Sequence, residues 1–137
     1  MKVHTTNYIN TFIEIAPDSP TDLGQVPVSK TGAKTAALIA YETIRDRPYQ
    51  YTSDDILFKI FAIKNELLPS EYEESRAHFF SKGQACLRAS ALTKRYGWGI
   101  HHNEFGKIAL YSAGSPEYQR FVSDAQVKKV KAMKSSK

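Results

Sequence analysis

The side chains most able to do chemistry concentrate in one stretch, Leu92–Tyr111, LTKRYGWGIHHNEFGKIALY. It holds the only tryptophan, Trp98, an adjacent histidine pair, His101 and His102, and the cations Lys94, Arg95 and Lys107. Asn103-Glu104-Phe105-Gly106 divides it. Asparagine suits the first position of a type I turn and glycine the left-handed position that closes it. Together they predict a three-residue hairpin loop with a glycine bulge. That register pairs Asn103 with Lys107, His102 with Ile108, Ile100 with Leu110 and Trp98 with Ser112. Side chains alternate across a strand. Trp98, Ile100, Ile108 and Leu110 therefore share a core face, and Trp98 anchors it. Gly97, Gly99, His101, Lys107, Ala109 and Tyr111 share the other.

Two glycines and an alanine leave that second face shallow, and strand glycines mark close approach of a ligand or of packed structure. Arg95 leans toward it if the strand begins early, and Arg88 and Lys94 approach from the preceding segment. Fixed donors and positive charge around a concavity are what recognition of a small anion requires. The candidate ligand-binding residues are therefore Arg88, Lys94, Arg95, Gly97, Gly99, His101 and Tyr111. The competing expectation is a helix laid flat over the glycines.

Covalent and metal chemistry have less support. Cys86 is the only thiol, and His101 or His78 would have to activate it. No nucleophile signature surrounds it. Adjacent strand residues point to opposite faces, so His101 and His102 cannot hold one metal together. No metal-binding spacing, phosphate loop or dinucleotide fingerprint occurs, and no cofactor is expected. The leading expectation is a non-catalytic binding module for a small anionic ligand or nucleic acid. A small enzyme using His101 and Cys86, or a homo-oligomeric interaction protein, are the alternatives.

The whole chain fits this reading. Its 137 residues, 42% hydrophobic, suffice for one folded domain. Charge is segregated: residues 1–80 carry eight basic against eleven acidic side chains, residues 81–112 five against one, and residues 113–137 six against two. A basic C-terminal half favours an anionic partner, and any nucleic-acid binding is expected to be weak and salt-dependent. No apolar run is long enough to cross a bilayer, MKVHTTNYIN lacks the apolar core of a signal peptide, and one unpaired cysteine suits a reducing compartment. A cytoplasmic protein is expected.

The elements that must position these residues are those of an α+β domain over residues 1–127, followed by a basic tail, 128–137. Asn7–Ile15 alternates as a strand. Residues 17–32, with three prolines and two glycines, form a long loop. Ala33–Arg47 has helix composition and stops at Pro48. Thr52 or Ser53 caps a helix over Ile56–Asn65, with Asp54 and Asp55 at its positive end. Ser70 and Glu73 form a capping pair for Glu71–Phe80. Residues 85–89 read as a short strand and Ser90–Tyr96 as a helical turn. Ser115 caps a helix over Pro116–Asp124, with Tyr118, Phe121 and Val122 inward. A small antiparallel sheet that includes the 97–112 hairpin should pack against three or four helices.

Four stretches in this order are familiar: His4–Tyr8 (HTTNY), Tyr51–Asp55 (YTSDD), Leu92–His101 (LTKRYGWGIH) and Lys131-Ala132-Met133. Together they resemble a family of small, mainly bacterial proteins of unknown function. The resemblance implies a single-domain cytoplasmic protein and supplies no catalytic residues. It also implies that the basic segment around Lys131 is more than filler.

Overall fold

A computed structural model of the chain describes residues 3–135. The central hairpin forms in the expected register. Strands β2 (Trp98–His102) and β3 (Ile108–Ser112) pair antiparallel, with Trp98 opposite Ser112, Ile100 opposite Leu110 and His102 opposite Ile108. The turn forms because Gly106 reaches φ 75°, while the Asn103 side chain accepts the N–H groups of Phe105 and Lys107. Few residues other than glycine adopt that φ.

Strand β1 (Thr11–Glu14) joins β2 antiparallel, and β4 (Lys128–Lys131) joins β1 in parallel, giving the order β3-β2-β1-β4. The sheet is thus mixed rather than purely antiparallel. The basic segment expected as a loose tail enters it instead. Lys128 and Ala132 donate their N–H groups to Asn10 and Glu14, and Ala132 is buried. The expected residues 136–137 of the tail lie outside the described residues.

Helices α1 (Ala36–Asp46), α2 (Ser53–Lys64), α3 (Tyr72–Phe79) and α4 (Ala91–Lys94) precede the hairpin, and α5 (Pro116–Ser123) links β3 to β4. The larger core lies on one sheet face. There Ile13, Ile100 and Ile108 meet Ile44 of α1, Ile56 of α2 and Leu92 of α4. Helix α5 covers the other face with Tyr118, Phe121 and Val122 packed against Phe12. Trp98 belongs to the larger core as expected but is only half-buried. Its indole N–H donates to the Gln25 carbonyl, so it also ties down the long loop.

Several expectations shift for local reasons. The first strand is shorter than residues 7–15 because Asn10 turns at φ 48° and Thr5–Asn7 bond to α2 instead. Helix α1 starts at Ala36 because Thr35 caps it by accepting the Leu38 N–H. Residues 85–89 are not a strand. Leu87–Ala89 is a 3₁₀ turn, and β4 takes the place beside β1. Ser70 and Glu73 do not pair; the Glu71 carboxylate accepts the Leu68 N–H ahead of a 3₁₀ turn at Pro69–Glu71. Among the described residues, no helix is long and apolar enough to cross a membrane.

Candidate functional site

The glycine face of the hairpin is filled. A Cβ on Gly99 would lie 2.4 Å from the Phe12 ring and 2.6 Å from the Tyr118 ring, and one on Gly97 would lie 2.2 Å from the Leu23 carbonyl oxygen. These glycines admit α5's aromatic layer and the long loop, and the concavity expected over them is occupied by the protein itself. Tyr118 completes the seal by accepting the Ile15 N–H through its hydroxyl.

His101 and Tyr111 are brought together, as the register requires, by a residue the sequence reading passed over. The Tyr49 hydroxyl lies 2.8 Å from His101 Nδ1 and 2.9 Å from the Tyr111 hydroxyl. Phe121 stacks on the His101 ring with 4.1 Å between centroids. Burial lowers the His101 pKa against an opposing pull from Asp124, and burial together with the Tyr111 hydrogen bond raises that of Tyr49. Tyr49 sits at φ 60°, a strained backbone for a non-glycine residue.

The candidate cations do not join them. Arg88 directly follows Leu87 of the larger core, and its Nε–H donates to the Lys131 carbonyl of β4. Lys94 ends α4 and Arg95 is its exposed cap. Cys86 lies 3.4 Å from the hydroxyl of Tyr8, which packs against the larger core, whereas His101 stacks on Phe121 of α5. Among the described residues no group of three His, Cys, Asp or Glu is arranged to hold a metal.

HTTNY and YTSDD meet in space. Asp54 at the start of α2 accepts hydrogen bonds from the Thr5 hydroxyl at 2.6 Å and from the Thr6 N–H and hydroxyl, each at 2.7 Å. Asn7 returns one bond by accepting the Asp54 N–H. Thr52 and Asp55 form a reciprocal capping box beside this cluster. Thr6, Ser53 and Asp54 are buried. The two motifs thus lock the N-terminal segment to the positive end of α2, where a carboxylate is stabilised.

Beside Asp55 of that capping box lies a groove of about 540 Å³ between α2 and α3. Its walls are Tyr51, Phe58 and Tyr72, and its polar groups include Gln50, Lys59 and Arg76. Arg76 donates to Asp55 at 2.9 Å and lies over the Phe58 and Phe80 rings. A guanidinium carries five donors, so most of its capacity remains. Lys59 lies 5.9 Å from the centroid of Tyr51 and has no ion-pair partner among the described residues. Apolar walls with a few convergent polar groups describe a ligand site, and the volume falls within the usual range of about 300–1,000 Å³.

Residues 3–137 match the model of a family described as "Family of unknown function (DUF6157)". The chain belongs to that family. No curated protein and no solved structure matches it. The family match spans the Asp54 lock, the groove and β4 alike, which places the basic segment inside the family's domain. Sequence reasoning missed the groove because its walls come from two helices. The signal present was Tyr51 and Asp55 within YTSDD, where Asp55 was read only as a charge at the positive end of a helix.

Proposed function

We propose that this protein is a non-catalytic binding module for a small anionic ligand bearing a flat ring, held in the α2–α3 groove. The observation that carries this reading is the conjunction of aromatic walls with two cations, one unpaired and one held by a single hydrogen bond to a carboxylate. A ring slots against Tyr51, Phe58 and Tyr72, and its anionic substituent meets Lys59 and the remaining donors of Arg76. Such charge-assisted bonds are about twice as strong as neutral ones and fix orientation as well. Nucleic acid is a weaker partner in this scheme, attracted by net charge alone. A cytoplasmic setting accords with the single half-buried thiol.

The test is a thermal-shift screen of the full chain against aromatic carboxylates, aryl phosphates and nucleoside monophosphates. At least one class should stabilise the protein, and Lys59→Gln or Tyr72→Ala should abolish the effect. Both side chains are exposed, so neither change threatens the fold. Stabilisation by none of the probes, or stabilisation untouched by both variants, overturns the reading.

A further inference from the structure

Helix α5 and strand β3 frame a second cavity of about 310 Å³, lined by Tyr111, Glu117, Arg120, Phe121 and Asp124. Glu117, Arg120 and Phe121 recur at helical spacing on one face of α5, and Asp124 caps its end. The aromatic wall is rigidly set. Tyr111 is held by Tyr49, Tyr49 by its N–H donated to the Ile108 carbonyl, and Phe121 by stacking on His101 and Phe12. A strained residue held by its surroundings is a recurrent feature of binding sites.

The charges around this cavity do not pair with one another. Among the described residues, Glu117, Arg120 and Asp124 form no ion pair, although they share the rim. The Asp124 carboxylate accepts one backbone N–H, that of Gln126. A simple anion here would meet two carboxylates, and a simple cation would meet Arg120. A ligand carrying an ammonium and a carboxylate on neighbouring atoms satisfies all three.

We propose that this cavity binds a free α-amino acid. Its carboxylate pairs with Arg120, its ammonium with Glu117 and Asp124, and its side chain rests against Tyr111 and Phe121. The volume lies at the small end of ligand cavities, in keeping with a ligand of this size.

The test is an NMR titration of the full chain with the standard L-α-amino acids and, for each binder, the matching amine without its carboxylate. Ring signals of Tyr111, Phe121 and His101 should shift with at least one amino acid. Arg120→Gln should weaken that binding roughly tenfold or more and leave the weaker amine binding unchanged. Glu117→Gln and Asp124→Asn should weaken both. All three side chains are exposed, so the variants should fold as the parent does. Lys59→Gln should have no effect, which separates this site from the α2–α3 groove. The proposal is overturned if no amino acid moves these rings at millimolar concentration, or if binding is indifferent to Arg120→Gln.

Discussion

His102 should make the fold sensitive to acid. Its side chain is fully buried on the larger-core face of β2, edge-on to Tyr8, and neither ring nitrogen has a hydrogen-bond partner among the described residues. Burial pushes its pKa down to about 4 from an ordinary 6.5. The neighbouring carbonyls of Ile100 and Thr11 pull the other way without reaching bonding geometry, and His101 adds a small push in the same direction as burial. The folded state therefore keeps the ring neutral while the unfolded chain protonates it. The sign follows from linkage: stability is complete above the unfolded pKa and is lost as pH falls from 6.5 toward 4. A difference of about 2.5 pKa units at about 1.4 kcal/mol each bounds the loss at about 3–4 kcal/mol. The assay is urea unfolding at about pH 7 and about pH 4.5, on the parent chain and on His102→Leu. Leucine removes the titrating group and two unpaired polar atoms at similar volume, so the variant should be at least as stable at neutral pH. Its stability should fall by about 2–3 kcal/mol less on acidification. If both proteins lose stability in parallel, the reasoning about His102 is refuted.

Other predictions follow from single contacts. Asp54→Ala leaves the buried Thr6 N–H and hydroxyl and the Thr5 hydroxyl without their acceptor. It should cost about 2–4 kcal/mol and release residues 3–7 first, which hydrogen exchange would detect. Gly99→Ala inserts a methyl group against Phe12 and Tyr118 and should lower stability by about 1–3 kcal/mol in a denaturant melt. Tyr118→Phe removes the acceptor of the Ile15 N–H and should cost about 1–3 kcal/mol with little change in secondary structure by circular dichroism. Oligonucleotide binding, measured at two salt concentrations, should be weak and decline at the higher one; tight, salt-independent binding would contradict a purely electrostatic contribution.

What could be read from the sequence was local. The hairpin register followed from period-two alternation plus the Asn103–Gly106 turn, both of which act within a few residues. The α2 cap, the Ser115 cap and the inward face of α5 were legible for the same reason. What escaped depends on distant partners. Lys128–Lys131 has no strand-like alternation of its own, and its pairing with Thr11–Glu14 is parallel and crosses almost the whole chain. Gly97 and Gly99 were correctly marked as places of close approach, but whether a ligand or Phe12, Tyr118 and Leu23 made the approach rested on non-local packing. The Asp54 lock needed HTTNY and YTSDD to meet. The α2–α3 groove needed Tyr51 and Lys59 to face Tyr72 and Arg76 from another helix.

Backbone amide chemical-shift mapping with the best ring-bearing anion from the screen tests the α2–α3 groove most directly. Shifts confined to the segments around Tyr51, Lys59 and Tyr72, and lost in Lys59→Gln, are the expected result. Shifts centred on β2 and β3, or none anywhere at saturating ligand, would contradict it.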